Sequence, residues 1–299
     1  MSSSRLQNTI AHPVAVCGYG FWSGEKVQVE FRPAAVDSGI TFVREDLGED
    51  VRVPARAEHR VNVPRRTNLE LGDARVEMVE HILAALAGLQ IDNCEVVVDA
   101  AEMPGCDGSS IAFIQALDSV GTQQQQATAQ RLVITESIRL ESGESWIEAH
   151  PSADDRFHVE FHLDYPNDPI IGYQSVALPV TPTTFRNELA GCRTFVLERE
   201  ADILIKQGLG THVTPKDLLL FGKYGPVDNH LRFDNECVRH KSLDLVGDLA
   251  LTGCEIVGSV KAYRSSHHLN AALASELVSR FAQREETQAE QTEVLKASA

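Results

Sequence analysis

The chain is organised around the segment Val238-Arg239-His240-Lys241-Ser242-Leu243-Asp244-Leu245-Val246-Gly247-Asp248. Its apolar residues recur at helical spacing, which predicts a helix. His240, Asp244 and Asp248 follow one another at intervals of four, so this helix turns them to one face, with Lys241 beside them. Such a face either contacts water or surrounds a cation. A His-x-x-x-Asp pair alone is more often a surface pair. Residues elsewhere in the chain are needed to distinguish a surface pair from a cation site.

Length and composition indicate a globular protein of two domains. The chain has 299 residues, of which 43% are hydrophobic and 23% charged. The net charge of -16 argues against general nucleic-acid binding. There is no apolar run of eighteen residues and no apolar signal region near the first residue, so we expect no membrane insertion and a cytoplasmic location. Six cysteines without a C-x-x-C pair favour reduced thiols over a cysteine zinc site.

Hydrophobic patterning divides the chain into two halves joined by a glutamine-rich segment. Strict alternation predicts a strand at 26–31, and residues 76–88 read as a helix ended by glycine. The other elements that we predict are strands at 94–99, 131–140, 145–148, 157–163 and 254–260, helical segments at 111–117, 184–190, 198–207 and 269–283, and the opening helix at 238–248. The predicted units are an N-terminal domain at 1–122, a linker at 123–130, a C-terminal domain at 131–285 and a frayed tail at 286–299.

One internal echo relates the two halves. Val79-Glu80-His81 leads into a helix, a glycine and the strand Cys94-Glu95-Val96. Val238-Arg239-His240 leads into a helix, a glycine and Cys254-Glu255-Ile256. The echo suggests two halves of like build, each a sheet backed by helices, which makes the fold class α+β. It also places a histidine early in the matching helix of each half, so both can face one cleft between the domains.

The residue types in that cleft are those of a catalytic metal site. A catalytic zinc takes three nitrogen or oxygen ligands and leaves a fourth position to water, and His81, His240 and Asp244 supply that set. Glu80 adjoins His81 and is placed to act as general base. Asp248 and His267 complete the candidates. The alternative is that these are ordinary helix-surface and loop residues, and the constellation alone leaves both interpretations open.

Several motifs in combination make the chain resemble the UDP-3-O-acyl-N-acetylglucosamine deacetylases, the zinc amidases of lipid A biosynthesis. The likeness covers residues 6–280. It rests on Val79-Glu80-His81 with Ala84-Ala85-Leu86-Ala87-Gly88-Leu89 and Ile91-Asp92-Asn93, Glu102-Met103-Pro104 with Asp107-Gly108-Ser109, Cys192-Arg193-Thr194-Phe195, Leu231-Arg232-Phe233 with Arg239-His240-Lys241, Leu243-Asp244 and Gly247-Asp248, and Ser265-Ser266-His267 with Leu269-Asn270.

The resemblance implies two α+β domains with the active site between them, each carrying a small insert. It implies the same three zinc ligands and Glu80 as general base. Further implied roles are His267 as second acid/base residue, Asp248 as its orienting carboxylate, Thr194 at the oxyanion, and Phe195, Lys241, Arg264, Leu218 and Phe221 in substrate binding, with 218–221 in the second insert (residues 210–229), which shelters the acyl chain.

The implied reaction is hydrolysis of the N-acetyl group of UDP-3-O-acyl-N-acetylglucosamine. The partners are then that substrate and water, one zinc per chain, and no nucleic acid, and we expect a monomer. The chain departs from the family pattern at Trp22, where many members have a histidine, at Met78, at His268 and in the second insert. These departures bear on pocket lining and acyl-chain preference.

Two alternatives from other classes remain at this point. One is a metal-dependent lyase of the imidazoleglycerol-phosphate dehydratase type, which tends to use more histidines and a manganese pair. The single His240-x-x-x-Asp244 pair argues against it. The other is a non-catalytic protein that binds sugar nucleotides or acyl chains. The presence of every ligand and of both acid/base residues argues against that.

Overall fold

The computed structural model describes residues 5–48 and 50–297, with the backbone alone for 284–297. Its helices are α1 Glu80–Gly88, α2 Ile111–Val120, α3 Pro182–Thr184, α4 Glu198–Lys206, α5 Glu236–Leu249 and α6 His267–Ala297, with shorter helical turns at Ala57–His59, Phe185–Leu189 and Ala250–Thr252. Its strands are β1 Leu6–Ile10, β2 Val14–Tyr19, β3 Lys26–Pro33, β4 Ile40–Arg44, β5 Arg52–Pro54, β6 Arg60–Val61, β7 Asn68–Leu71, β8 Ala74–Glu77, β9 Cys94–Val98, β10 Thr122–Thr128, β11 Arg131–Val133, β12 Ile138–Ser142, β13 Ser145–His150, β14 Phe157–Tyr165, β15 Gly172–Pro179, β16 Phe195–Leu197, β17 Leu219–Gly222, β18 Gly225–Pro226 and β19 Glu255–Tyr263.

Two large sheets share one topology. The first has the order β2-β3-β9-β4-β5 and the second β12-β13-β19-β14-β15, with β11 also paired to β19. In each sheet the strand that follows a buried helix, β9 after α1 or β19 after α5, lies antiparallel to one neighbour and parallel to the other. The α+β class and the like build of the two halves, predicted from the echo, are therefore confirmed.

Helices α1 and α5 pack directly against each other between the two halves. Gly247 makes the close contact possible, because a Cβ at this position would lie 2.0 Å from the backbone oxygen of Glu80. Glycine permits such a close backbone approach. The crossing places the start of α1, with Glu80 and His81, beside the middle of α5.

Alternating strands supply the apolar inner faces of both sheets. In β3 the side chains of Val27, Val29 and Phe31 are buried while the residues between them contact water at least in part, as the strict alternation predicted. In β14 the buried positions are Val159, Phe161 and Leu163, and α5 packs against this strand. None of the helices in the described part of the chain has the length and apolarity needed to cross a membrane.

The predicted helix at 76–88 was wrong at its start. Residues 74–77 form β8, and the helix begins at Glu80 after a sharp turn in which Met78 takes a φ of 58°. A positive φ at a non-glycine residue changes the direction of the backbone and ends the strand. The spacing of apolar residues in the sequence does not reveal such a turn. The turn is held because the Met78 and Val79 N–H groups donate to Asn68 Oδ1 and to the Thr67 carbonyl.

The segments predicted as the linker and the frayed tail contain regular secondary structure. Most of the linker at 123–130 belongs to β10, which pairs antiparallel with β1. This strand needs no apolar face. Its polar groups are satisfied by the backbone hydrogen bonds to β1 and by side-chain hydrogen bonds such as that from Gln125 Nε2 to the Ala34 carbonyl. The tail at 286–299 continues α6 as far as residue 297, consistent with its content of strong helix formers. Residues 298–299 lie outside the described part.

Candidate functional site

Helix α5 is buried along almost its whole length, including its charged face. Asp244 is 2% exposed, Asp248 0% and His240 4%. Ionisable groups are rarely buried unless they are paired or bind a metal. The interpretation of this face as a solvated surface is therefore excluded by the structure.

His81 from α1 joins His240 and Asp244 of α5 in one cluster. Asp244 Oδ1 lies 3.5 Å from His81 Nε2 and 3.4 Å from His240 Nε2, and the candidate ligand atoms all lie within 4.8 Å of one another. This Oδ1 is buried and has no hydrogen-bond partner within the described residues. A buried carboxylate oxygen left without a donor is costly, so a cation at this point would relieve the cluster.

The protonation of His240 fits the same conclusion. Its Nδ1 donates to the carbonyl of Cys192 at 3.1 Å, so Nε2 carries the lone pair that faces Asp244. Burial lowers the pKa of His240 to about 4, which keeps the ring neutral at physiological pH. Two acceptor atoms 3.4 Å apart repel unless a cation lies between them. The donor set of two imidazoles and one carboxylate suits a divalent metal.

Asp244 is ionised in this surrounding. Burial opposes its charge. His240, which is protonated at the acidic pH at which Asp244 would titrate, and Lys241 outweigh this effect and hold the pKa of Asp244 well below its usual range. The ammonium of Lys241 donates to Asp244 Oδ2 at 2.7 Å. Burial likewise works against the charge of Lys241, and Asp244 more than compensates and raises its pKa. The carboxylate thus has one oxygen paired and the other directed at the two imidazoles.

His267 stands on the other side of the cluster as the first residue of α6. Its Nδ1 donates to Asp248 Oδ2 at 2.9 Å, and its Nε2 lies 3.8 Å from Asp244 Oδ2. Burial would lower the pKa of His267, but Asp248 outweighs it and raises the pKa to about 9. The ring is therefore an imidazolium at neutral pH. Asn270, one turn further along α6, donates to the same Asp248 oxygen at 2.9 Å.

Glu80 begins α1 with its carboxylate buried and accepts from the backbone N–H of Thr67 at 3.0 Å. Burial is the main cause of a raised pKa for Glu80. Thr194 lies beside the cluster, with its hydroxyl 3.1 Å from the carbonyl of Gly108 and 3.2 Å from His240 Nε2. The groups predicted for proton transfer thus surround the candidate metal ligands.

A cavity of about 1020 Å³ opens from this cluster. Its polar lining includes Glu80, His81, Thr194, His240, Asp244 and His267. Its apolar wall comes from β16, α4, the turn after α4 and the second insert, through Leu197, Ala201, Leu204, Leu209, Leu218 and Leu220. Four basic residues also reach it, namely Arg65, Arg199, Lys241 and Arg264. The apolar wall suits a ligand that carries a long apolar chain.

The structure brings most of the predicted substrate-binding residues to this cavity. Phe195, Lys241, Arg264 and Leu218 line it. Phe221 does not. Its ring is buried and packs edge-on against Phe195 with 6.3 Å between ring centroids, so it supports a lining residue from behind. The reason is its place in β17, where alternate residues point to opposite faces.

Sequence reasoning missed two groups that hold the site. Thr67 contacts both Glu80 and Asp248, and no motif marked it. Arg193 and Glu236 form a buried ion pair at 2.8 Å that anchors the segment around Cys192 and Thr194. A charged residue directly before Thr194 in the quoted motif was the only available signal for this pair.

Comparison with known proteins agrees with this site. The profile of the family described as UDP-3-O-acyl N-acetylglycosamine deacetylase matches residues 7–279. A UDP-3-O-acyl-N-acetylglucosamine deacetylase of Anaeromyxobacter sp. (strain Fw109-5) is 38% identical over 273 residues, 91% of this chain and 88% of the relative. Relatives of the same name from Brucella melitensis biotype 2 (strain ATCC 23457) and Brucella abortus (strain 2308) are each 37% identical over 275 residues, 91% of this chain and 95% of theirs.

Proposed function

The chain belongs to the UDP-3-O-acyl N-acetylglycosamine deacetylase family, and on that premise we propose how its residues perform the reaction. The activity is hydrolysis of the amide that joins acetate to the glucosamine nitrogen of UDP-3-O-acyl-N-acetylglucosamine. Acetate is released, and the free amine continues into lipid A biosynthesis. The enzyme is a metal-dependent hydrolase. The observation that carries this for the present chain is the buried Oδ1 of Asp244, which lies between two cavity-lining imidazoles and has no hydrogen-bond partner among the described residues.

The metal that we propose is one zinc ion per chain. His81, His240 and Asp244 would hold it, since two imidazole nitrogens and one carboxylate oxygen are a usual catalytic zinc set. When bound, zinc would polarise the acetamide carbonyl and make a water molecule more acidic. The hydrogen bond from His240 to Cys192 O orients one ligand ring, and such outer contacts commonly tune metal affinity.

Glu80 is the proposed general base. Its carboxylate is buried at the cavity wall, and burial raises its pKa, which makes it a stronger proton acceptor. The N–H of Thr67 keeps one oxygen in place at 3.0 Å. In this proposal Glu80 takes a proton from the attacking water.

His267 is the proposed general acid. Because Asp248 raises its pKa to about 9, it enters the reaction as an imidazolium and can give its Nε2 proton to the departing amine. Its positive charge, with the hydroxyl of Thr194, would also stabilise the negative oxygen of the tetrahedral intermediate. Asp248 has no access to the cavity and acts through His267.

The proposed placement of the substrate follows the polar and the apolar residues that line the cavity. Lys241 and Arg264 would meet the diphosphate, since charge-assisted hydrogen bonds to phosphate are strong. Phe195 would contact the sugar, and Leu218 the acyl chain, with Phe221 supporting Phe195.

The remaining elements of the proposal concern organisation. The repeated sheet topology supports two domains at 1–122 and 131–285, joined through the segment 123–130. No disulfide joins the cysteines of the described residues, which supports action in the reducing cytoplasm. We retain the monomer as a proposal, and light scattering on the purified protein tests it.

The lyase alternative lacks support, since the candidate metal cluster among the described residues holds only two histidines.

The decisive experiment is acetate release from UDP-3-O-acyl-N-acetylglucosamine by the purified protein, before and after chelation and with zinc added back. We expect chelation to abolish release and zinc to restore it. Folded, zinc-loaded protein that releases no acetate across several acyl lengths would refute the proposal and favour the binding-only alternative. In that case Trp22 and the second insert would be the first residues to exchange, since both line the cavity and both depart from the family pattern.

A further inference from the structure

Thr67 lies between the Glu80 carboxylate of α1 and the Asp248 carboxylate of α5. It directly precedes β7, and its side chain is fully buried. Its backbone N–H donates to Glu80 Oε2 at 3.0 Å, and its carbonyl accepts from Val79 at 3.1 Å. Its hydroxyl donates to Asp248 Oδ1 at 2.6 Å, across 181 residues of sequence. One residue therefore contacts both the proposed base and the carboxylate behind the proposed acid.

The hydroxyl of Thr67 supplies the hydrogen bond to the second oxygen of the Asp248 carboxylate. Oδ2 accepts from His267 and Asn270, and Oδ1 accepts from Thr67. Asp248 is 0% exposed, so water does not replace a lost donor easily. Within the described residues no other hydrogen-bond donor reaches Oδ1, and loss of the hydroxyl would leave this oxygen free to rotate away from its present orientation.

We propose that Thr67 is a positioning residue for catalysis. It fixes the orientation of Glu80 and of Asp248, so that the base and the acid that Asp248 holds, His267, are directed at the same amide group of the substrate. The inference rests on the proposed function. Thr67 acts through its two partners and does not line the cavity. The β-branched side chain suits this role because few rotamers are open to it, so the hydroxyl has a defined direction.

The two contacts differ in how they can be tested. The bond to Glu80 comes from the backbone and survives a change of side chain. The bond to Asp248 comes from the hydroxyl, so Thr67→Val removes it with almost no change of volume, and Thr67→Ser keeps it. Thr9→Val is a matched control, since Thr9 is also buried and its hydroxyl oxygen accepts from the backbone of Ala34, within the segment that leads to β4.

The experiment measures kcat, KM, zinc content and melting temperature for these variants, for Asp248→Asn and for Thr67→Val combined with Asp248→Asn. We expect Thr67→Val to lower kcat by about 10- to 100-fold, the usual effect of losing an outer contact of this kind. KM and zinc content should stay near the wild-type values, and Thr67→Ser should recover most of kcat. Adding Thr67→Val to the Asp248→Asn enzyme should lower kcat much less than adding it to the wild-type enzyme, because the effect of the valine on kcat is transmitted through Asp248.

Several results would overturn the inference. A Thr67→Val enzyme with wild-type kcat would do so, as would a serine variant as slow as the valine variant. Full additivity of the two substitutions, or a kcat loss in Thr9→Val as large as that in Thr67→Val, would show a merely structural effect. If Thr67→Val does not fold, Thr67→Ala replaces it with the same expected pattern. An inactive wild-type enzyme would instead refute the proposed function itself, which keeps the two failures distinct.

Discussion

Asp248→Asn should move the alkaline limit of activity to lower pH. Asp248 accepts from His267 Nδ1 and is the reason that the pKa of this histidine rises from 6.5 to about 9 despite burial. At about 1.4 kcal/mol per pH unit, this rise corresponds to roughly 3 kcal/mol of stabilisation of the imidazolium. Asparagine keeps the volume but loses the charge. Burial and Lys241 would then lower the pKa of His267 against the smaller opposing effect of Asp244, and this pKa should fall to 6.5 or below.

The effect on rate follows from the fraction of His267 that carries the proton. At pH 7.5 nearly all of the wild-type rings are imidazolium, whereas in the variant about a tenth or fewer would be. We therefore expect kcat at pH 7.5 to fall by about 10-fold or more, with partial recovery as the pH is lowered towards 6. A general acid must be protonated to act, so the sign of the change is a loss on the alkaline side.

The assay is acetate release at saturating substrate across pH 5.5–9.5, with zinc content measured at each end of the range. Asp118→Asn is the matched control, because its carboxylate pairs with Arg186 at the surface, away from the cavity. That variant should keep the wild-type pH profile. An Asp248→Asn enzyme whose alkaline limb stays near that of the wild type, with zinc still bound, would refute the assignment of His267 as an acid charged by Asp248.

Three further predictions concern the base, the metal and the helix crossing. Glu80→Gln should lower kcat by about 100-fold or more with zinc retained, and unchanged turnover would exclude Glu80 as base. Asp244→Ala should reduce the zinc content below one per chain after dialysis, as measured by metal analysis, and full retention would contradict its role as ligand. Gly247→Ala would place a carbon 2.0 Å from the Glu80 carbonyl, so we expect about 1–3 kcal/mol of lost stability and a lower kcat. Gly191→Ala, where the added carbon meets nothing closer than 4.0 Å, should melt close to wild type, and equal losses in both would argue against the close crossing.

Elements with a strong local period were predicted well. The opening helix was expected at 238–248 and spans Glu236–Leu249, and the strand expected at 26–31 spans Lys26–Pro33. The regular spacing of apolar residues and the glycines that end helices are features of residues close together in the sequence. They can therefore be recognised without a tertiary structure. The echo between the halves was recognised for the same reason, because each copy repeats the same short pattern.

Elements that depend on distant partners were predicted poorly. The glutamine-rich segment forms β10 only because β1 lies beside it. The start of α1 depends on the turn at Met78, and that turn is held by acceptors on Thr67 and Asn68. Pairings of this kind join segments that are not neighbours in the sequence, and the residues of each segment show no pattern that requires the pairing.

The sequence by itself determined the family, the residue types of the site and the two faces that carry them. His240 and Asp244 share a face because a helix repeats every 3.6 residues, wherever the helix lies. Only the tertiary structure decided that this face is buried, that His81 lies against it, and that one oxygen of Asp244 has no donor among the residues that the structure describes. It also decided that Thr67 reaches Asp248. The physical reason is that burial and unpaired polar atoms are properties of packing, and here the packing depends on two helices approaching as closely as Gly247 allows.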